Sequence, residues 1–137
     1  MFKKVIEPRV SETDGAGHIN NTVIPVWFES GRDDIFRMFT PDLAFQNWRC
    51  VLLKMDVEFT SQLFYGTSVN VQTWINRIGN KSFEVYEEIS QSNTVCAKGR
   101  ATYVNYDFVL QQSEVIPDEI REELEKHLYM SNKTASE

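Results

Sequence analysis

The chain has 137 residues, of which 42% are hydrophobic and 25% charged, and this length suits one folded domain. Its net charge is −6, whereas general nucleic-acid binders and anionic-membrane binders are usually basic, so we expect neither kind of partner. No window of the sequence approaches the roughly 18 consecutive apolar residues that a membrane-spanning helix needs.

The N-terminal residues and the two cysteines indicate the compartment. The first apolar run stops at Glu7-Pro8-Arg9, which leaves no core for a signal peptide. Cys50 and Cys96 lie in apolar, strand-like segments and have no short spacing between them, so we expect reduced core residues. The sequence therefore predicts a cytoplasmic protein.

The first third of the chain predicts a strand, a loop and a helix. Residues 2–11 alternate loosely and predict a short strand, and residues 12–22 (ETDGAGHINNT) have the composition of a loop. An apolar stripe then recurs at spacings of four and three residues, at Ile24, Phe28, Gly31, Ile35 and Met38. This periodicity predicts one long helix.

Single residues refine this helix. Asn21 or Thr22 is expected to cap its start, and Pro25 is compatible with its first turn only. Gly31 lies in the middle of the stripe, where the missing side chain would let the helix approach a sheet closely. The segment that begins at Thr40 and continues with Pro41 ends it.

Four strand-like runs follow, at residues 49–60, 68–78, 81–90 and 94–110. Gly79-Asn80 is a two-residue hairpin signal of the type with glycine first, and Ser92-Asn93 marks another turn.

The C-terminal part predicts a short helix and a tail. After Pro117, the residues Ile120, Leu124 and Leu128 form one face of a short helix. Residues 131–137 (SNKTASE) are expected to be disordered. Together the elements predict an α+β fold: one long helix on the concave face of a curled antiparallel five-stranded sheet, plus the short C-terminal helix, as a single domain over residues 1–130.

The loop before the long helix carries a motif that resembles a known family. The segment Thr13-Asp14-Gly15-Ala16-Gly17-His18-Ile19-Asn20-Asn21, followed by Trp27-Phe28-Glu29 and Arg32, is similar to the T-D-x-x-G-H-x-N-N loop and Y/F-F-E-x-x-R helix of acyl-CoA thioesterases of the 4-hydroxybenzoyl-CoA thioesterase type. Weaker matches at Gly66, Ser82-Phe83 and Ile116-Pro117 extend the resemblance over most of the chain. It implies the hotdog fold, an acyl-CoA substrate, and a homodimer or homotetramer.

The loop also makes chemical sense for this reaction. Thioester hydrolysis needs a carboxylate or another base, and a donor for the oxyanion that develops on the carbonyl oxygen. A helix N-terminus offers free N–H groups, and the two glycines between Asp14 and Asn21 can fold the acid back towards it. The resemblance implies the same roles: Asp14 as base or nucleophile, and the backbone N–H near Asn21 as the oxyanion donor.

Three further residues complete the predicted site. His18 is expected to orient the acid or the thioester, and Asn20 and Glu29 are expected to contact the substrate, with a second catalytic acid as the alternative role of Glu29. Each also has a structural interpretation: Asp14, Asn20 and Asn21 as turn or cap residues, His18 as a structural loop residue, and Glu29 as the partner of Arg32 in a helical ion pair.

The sequence offers no metal site and no cofactor site. His127 is the only other histidine, and no ligand cluster accompanies either one, so we expect neither a metal nor a cofactor.

Acyl-CoA hydrolysis is the leading interpretation, and two others remain open. The chain could act on acyl groups carried by acyl-carrier protein, or it could be a non-catalytic acyl-CoA-binding module. The sequence leaves the acyl chain undetermined. It also does not separate direct attack by the carboxylate from activation of water.

Overall fold

The computed structural model describes residues 1–130, so the tail predicted for residues 131–137 lies outside the described residues. Its helices and strands are, in chain order, β1 (Phe2–Ile6), α1 (Ile24–Ser30), α2 (Asp33–Phe39), β2 (Cys50–Phe59), β3 (Val69–Ile78), β4 (Ser82–Gln91), β5 (Thr94–Asp107), β6 (Gln112–Ser113) and α3 (Asp118–Glu125).

The five long strands form one antiparallel sheet in the order β1-β3-β4-β5-β2, which confirms the predicted five-stranded antiparallel sheet. The two-residue strand β6 was not predicted and pairs with the end of β5. The two edges of the sheet are β1 and β2. In the chain, the edge strand β1 is followed by a loop and then by α1 and α2. The other edge strand, β2, comes after these helices.

The predicted hairpin at Gly79-Asn80 and the predicted turn at Ser92-Asn93 are both present, but the first does not use the turn type expected of it. A turn of the glycine-first type needs a positive φ at the glycine, and Gly79 does not have one. The β4–β5 turn instead has positive φ at both central residues, Ser92 (52°) and Asn93 (63°), as the mirror-image type I turn requires. Asparagine tolerates this conformation better than most residues.

The single long helix predicted from the apolar stripe is wrong. Two seven-residue helices, α1 and α2, replace it, and the chain breaks between them at Gly31 and Arg32. At the break the N–H of Gly31 donates to Phe28 O (3.1 Å) and that of Arg32 to Glu29 O (3.0 Å), which is the tighter i to i−3 pattern. The break turns the Arg32 side chain into the core, where it is 1% exposed.

The prediction of a close helix–sheet approach at Gly31 is confirmed. A Cβ atom on Gly31 would lie 2.7 Å from Val71 Cγ1 and 2.9 Å from Thr73 Oγ1, both on β3. One turn earlier the Phe28 ring fills the space over Gly99 of β5, where a Cβ atom would lie 2.9 Å from the ring. Glycine on one element therefore matches bulk on the other, and the helices sit tightly on the sheet.

The core consists of two adjoining apolar clusters between the helices and the sheet. The first surrounds α2 and includes Phe36, Phe83 and Tyr103. The second surrounds α1 and includes Ile19 and Leu63, which come from loops. Burial of these two side chains anchors the loop before α1 and the β2–β3 loop to the same body. Cys50 and Cys96 are buried and unbridged, as expected.

The short C-terminal helix is present as α3, and its Leu124 is fully buried. Leu128, which the predicted stripe included, lies beyond the end of α3 and is 40% exposed. Within residues 1–130, no helix is long and apolar enough to cross a membrane.

Candidate active site

The loop that carries the predicted site is a small hairpin. Thr13 pairs with Ile19, the Asp14 N–H donates to His18 O (2.9 Å), and the Asn20 N–H donates to Glu12 O (2.9 Å). The tip needs left-handed backbone at Gly15 (φ 91°) and Gly17 (φ 86°), a conformation that other residues rarely adopt. The chain therefore turns back at residues 14–18 and brings the start of the helical region alongside the residues that precede Asp14.

A second segment, in the β2–β3 loop, fixes this hairpin from outside. The Ile19 N–H donates to Leu63 O (2.8 Å) and the Tyr65 N–H donates to Gly17 O (3.0 Å), so that His18 pairs with Phe64. The loop before α1 is thus held by backbone hydrogen bonds on both sides.

Asp14 lies at the tip of the hairpin with its side chain 42% exposed. Its Oδ1 accepts the Ala16 N–H (2.9 Å), which is an Asx turn. Its Oδ2 lies 3.8 Å from His18 Nδ1, beyond hydrogen-bond distance, and accepts no hydrogen bond from any group in residues 1–130. The structural and the catalytic interpretations are compatible, because one oxygen shapes the turn and the other is open.

His18 follows at the other end of the turn, with its side chain 40% exposed. Its ring meets the ring of Phe64 edge to face, with centroids 5.1 Å apart. The structure therefore brings Asp14 and His18 together, and the Phe64 ring packs against the His18 ring. Nothing in the sequence pattern identified Phe64, because its role comes from pairing between two loops.

The helical region begins at the two asparagines. The Asn20 side-chain oxygen accepts hydrogen bonds from the N–H (3.0 Å) and the hydroxyl (2.9 Å) of Thr22, and so caps a 3₁₀ turn over Asn21–Val23 that leads into α1. The predicted cap at Asn21 or Thr22 is therefore wrong by one residue, since the first turn is 3₁₀ and starts earlier than the α-helix. Pro25 lies in the first turn of α1, as expected.

Asn21 is exposed and borders a cavity of about 410 Å³. Ile19 and Ile24 line the cavity on one side, and residues 59–63 line it on the other. Its backbone N–H, the first of the 3₁₀ turn, has no acceptor among residues 1–130. Asp14 and His18 lie on the same hairpin but are not among the residues that line this cavity.

Glu29 lies apart from this group. It is exposed on α1 and borders a second cavity of about 540 Å³, whose apolar wall includes Phe36, Trp48 and Leu52. The structure does not bring Glu29 to the loop of Asp14.

The ion pair expected between Glu29 and Arg32 is also wrong. Arg32 points the other way, into the core, where its Nε donates to Glu87 Oε1 (2.8 Å) and its Nη1 to the Tyr103 hydroxyl (2.8 Å). Thr73 donates to the second oxygen of Glu87 (2.7 Å). Burial alone would lower the pKa of Arg32, and the charge of Glu87 reverses this and raises it. Burial raises the pKa of Glu87 in spite of Arg32.

Glu12 is a residue that the sequence analysis missed. Its carboxylate accepts the Arg9 N–H (2.7 Å) and the indole N–H of Trp27 (3.0 Å), and so ties the hairpin to α1. Burial would raise the pKa of Glu12, but these donors and the charge of Arg9 outweigh it and lower the pKa. The available signal was a glutamate three residues after Arg9, where its carboxylate can accept the backbone N–H of the residue that begins the turn.

The part of the chain that the structure describes contains no group of three or more His, Cys, Asp or Glu side chains placed to hold a metal ion.

Comparison with known proteins places the chain in a family. Residues 8–124 match the profile of the thioesterase-like superfamily. The chain belongs to this superfamily. No curated protein matches the sequence significantly.

One solved structure supports the same assignment, and others share the fold. A predicted thioesterase from Bacillus stearothermophilus is 55% identical, with a TM-score of 0.92, and the match covers 95% of this chain and 98% of that one. A thioesterase from Thermus thermophilus, complexed with coenzyme A and Zn, is 23% identical with a TM-score of 0.80, over 90% and 96% of the two chains. A hypothetical protein from Staphylococcus aureus in complex with CoA is 12% identical with a TM-score of 0.81, over 95% and 87%.

The last two likenesses concern the fold alone. The superfamily match and the 55% identical relative confirm the predicted family and the prediction that the chain is a thioester hydrolase.

Proposed function

We propose that the chain hydrolyses acyl-CoA thioesters to a free acid and CoA, with Asp14 as the catalytic carboxylate. The observation that carries this proposal is the arrangement of Asp14 itself. One carboxylate oxygen accepts the Ala16 N–H, and the other accepts no hydrogen bond from residues 1–130. The chain also belongs to the thioesterase-like superfamily. A carboxylate that is held but not fully paired can accept a proton or attack a carbonyl carbon.

The proposed reaction begins with a water molecule beside Asp14 Oδ2. The carboxylate takes a proton from the water, whose oxygen then attacks the thioester carbonyl carbon. The carbonyl oxygen becomes an oxyanion and accepts the backbone N–H of Asn21, which has no other acceptor in residues 1–130. When the tetrahedral intermediate collapses, the carbon–sulfur bond breaks and the CoA thiolate takes the proton from Asp14.

Direct attack remains the alternative for the first step. Asp14 Oδ2 would then bond to the carbonyl carbon and expel the CoA thiolate, and water would hydrolyse the resulting anhydride. The products and the proton balance are the same. Both routes need the acid ionised and the thioester close to Asn21.

The other predicted residues take supporting roles in this proposal. His18, 3.8 Å from Asp14, orients the acid or the thioester. Asn20 holds the 3₁₀ turn through Thr22, and we propose that it also contacts the substrate. Glu29 lies eight residues beyond Asn21, about 12 Å along a helix, so we assign it a contact with a distal part of the substrate.

We also propose that the chain forms a homodimer or a homotetramer. Strand β2 is ten residues long and lies at the edge of the sheet, and Leu52 (44%), Leu53 (61%) and Phe59 (52%) are exposed on it. A long edge strand with exposed apolar side chains is a template for pairing with another chain. Since Phe59 and Leu52 border the two cavities, a second copy at this edge would cover both.

The oligomer has a direct test. Sedimentation equilibrium at working concentration should give twice or four times the monomer mass. Leu53→Lys, which places a charge in the proposed interface, should shift the distribution towards monomer. A clean monomer of the unaltered chain would contradict the proposal.

The cellular location and the cofactor requirement complete the proposal. The buried free thiols of Cys50 and Cys96 are consistent with a reducing environment, so we retain the cytoplasm as the expected location. We propose that the reaction requires no cofactor.

The function is tested by release of free thiol from a panel of aliphatic and aromatic acyl-CoAs. We expect turnover on at least one acyl-CoA with saturation kinetics. Acyl-carrier-protein substrates are included in the same panel. Saturation by these alone would replace CoA as the carrier, and tight acyl-CoA binding without thiol release would contradict hydrolysis.

A further inference from the structure

A buried glutamine holds the segment against which the proposed catalytic loop is built. Gln91 is the last residue of β4 and is 6% exposed. Its Oε1 accepts the Phe64 N–H (3.0 Å), and its Nε2 donates to Phe64 O (2.9 Å) and to Thr67 O (2.8 Å). One side-chain amide thus satisfies both backbone groups of Phe64, as a neighbouring strand would.

Phe64 is also the point at which the β2–β3 loop meets the loop of Asp14. His18 pairs with Phe64 through the flanking hydrogen bonds of Ile19 and Tyr65, and the two rings are in contact. A continuous set of contacts therefore leads from Gln91 through Phe64 to His18, whose carbonyl accepts the Asp14 N–H. At the end of the loop that follows β2, the N–H groups of Thr60 and Ser61 donate to Cys96 O. Neither bond involves Phe64, whose backbone N–H and carbonyl are both hydrogen-bonded to Gln91.

We propose that Gln91 is a positioning residue for the hydrolysis: by fixing the backbone of Phe64 it sets where His18 stands relative to Asp14. This inference rests on the proposed function. His18 Nδ1 lies 3.8 Å from Asp14 Oδ2, so a shift of about 1 Å towards the acid would make a hydrogen bond between them, and a shift away would prevent one. Displacement of that size in a catalytic site can lower the rate by about 10²-fold.

The chemistry of the site requires a group that both donates and accepts. Two carbonyl oxygens and one N–H converge on the residue 91 side chain. Leucine would leave all three without a partner. An ionised glutamate could accept from Phe64 N–H but would face two carbonyl oxygens without a proton to donate. A protonated glutamate restores one of the two donations, so Gln91→Glu links the loop's position to pH.

The kinetic test compares Gln91→Leu, Gln91→Glu and the control Gln72→Leu, the same change at a half-buried position on β3. We expect kcat on the best acyl-CoA to fall about tenfold or more in Gln91→Leu, with a smaller change in KM, and to stay within about twofold in the control. Burial should raise the pKa of a glutamate at position 91, so the kcat of Gln91→Glu relative to the unaltered enzyme should rise as pH falls from about 8 to 5.

A spectroscopic test does not depend on activity. The chain has two histidines, and each ring contacts one phenylalanine ring: His18 contacts Phe64, and His127 stacks on Phe2 at 3.9 Å. Gln91→Leu should change the ring-proton chemical shifts of His18 and leave those of His127 as an internal reference. If the unaltered chain releases no thiol from any substrate, the proposed function fails, and this measurement still tests the positioning.

Two results together would overturn the inference. They are a Gln91→Leu enzyme with kcat within about twofold of the unaltered one, and unchanged His18 shifts. A kcat loss in Gln91→Leu without a His18 shift and without low-pH recovery in Gln91→Glu would also overturn it, since that pattern belongs to general destabilisation. Should Gln91→Leu not fold, the pH profile of Gln91→Glu decides alone.

Discussion

Glu87 and Asp14 are both carboxylates, and the fold holds them in opposite ways. Glu87 is fully buried, and its two oxygens accept hydrogen bonds from Arg32 and Thr73. Asp14 sits on a loop tip with one oxygen held by Ala16 N–H and the other open. A fully paired buried acid specifies structure, whereas a half-paired exposed acid is available for chemistry.

The two regions also differ in what holds them in place. Arg32 reaches Glu87 because the helix breaks at Gly31, and that break is packed against β3. Asp14 is placed by backbone hydrogen bonds of its own hairpin and of the β2–β3 loop. Substitutions in the first region should therefore change stability, and those in the second should change turnover. The following predictions separate these effects, beginning with the largest.

Breaking the buried ion pair should have the largest effect. Arg32→Met removes the cation and leaves Glu87 buried without a counter-charge, which typically costs about 3–5 kcal/mol. We expect the free energy of unfolding to fall by about this amount in chemical denaturation. The double variant Arg32→Met/Glu87→Gln should be less destabilised than the sum of its single changes, because it carries no unpaired charge.

The chain offers a matched control for this prediction. Lys4 and Asp33 form an ion pair at 3.1 Å whose side chains are 44% and 50% exposed. Lys4→Met should change the free energy of unfolding by less than about 1 kcal/mol, since exposed pairs contribute little. Equal losses at the buried and the exposed pair would contradict the distinction between the two regions.

The same contrast explains what the sequence could predict. Local patterns in the sequence predict the strands, the loop before α1 and the close helix–sheet approach at Gly31, and the structure contains all three. Arg32 illustrates the limit. The three-residue spacing of Glu29 and Arg32 predicts an ion pair on a regular helix, but the helix breaks between them at Gly31. The actual partner, Glu87, is 55 residues away in the sequence, and only the folded sheet brings it next to Arg32.

The site shows the same limit. Asp14, His18 and the two asparagines were predicted from one contiguous motif, and the hairpin does bring Asp14 and His18 together. Phe64 and Gln91 contribute through pairing between segments that are far apart in sequence, and no spacing rule connects them to residue 18. Glu29 lies on α1 and Asn21 in the 3₁₀ turn before it, and the two residues border different cavities.

Removing the charge of Asp14 should have the largest effect on catalysis. Asp14→Asn keeps the side-chain oxygen that accepts the Ala16 N–H, so the loop should retain its shape. We expect kcat to fall by at least ~10²-fold, about 2.7 kcal/mol in transition-state stabilisation, with little change in acyl-CoA binding. Steady-state kinetics and a binding titration measure the two quantities.

Glu29→Gln is the control, since it makes the same chemical change on an exposed carboxylate beside the other cavity. Because Glu29 is proposed to contact a distal part of the substrate, its KM should rise while its kcat stays within about threefold of the unaltered enzyme. If Asp14→Asn retained near-normal turnover while Glu29→Gln lost it, Glu29 would replace Asp14 as the catalytic carboxylate.

His18→Ala should have a smaller effect than Asp14→Asn. The ring stands 3.8 Å from the acid and acts by orientation, so we expect kcat to fall about tenfold, or about 1.4 kcal/mol. His127→Ala, at the opposite end of the chain, should leave kcat within about twofold. A loss in His18→Ala as large as that in Asp14→Asn would give His18 a direct part in proton transfer.

The smallest effect concerns Glu12, which combines features of both regions. It lies on the hairpin near Asp14, but its carboxylate is paired, with the Arg9 N–H and the Trp27 indole N–H. Its pKa is lowered in the folded state, because these donors and Arg9 outweigh the effect of burial. A lowered folded-state pKa means that Glu12 contributes stability above its unfolded pKa, and that this contribution is lost as pH falls through the folded pKa.

Glu12→Gln should therefore lower the free energy of unfolding by about 1 kcal/mol at neutral pH, since an amide oxygen accepts more weakly than a carboxylate. The difference between the two proteins should shrink below about pH 5 and vanish once Glu12 is protonated in the folded state. Denaturant titrations between about pH 3 and 7 measure it. Trp27→Phe removes one of the donors to Glu12, so its free energy of unfolding should also depend less on pH in the acid range than that of the unaltered protein. If instead the two stability curves stayed parallel to the lowest pH, Glu12 would not be the group that ties the hairpin to α1.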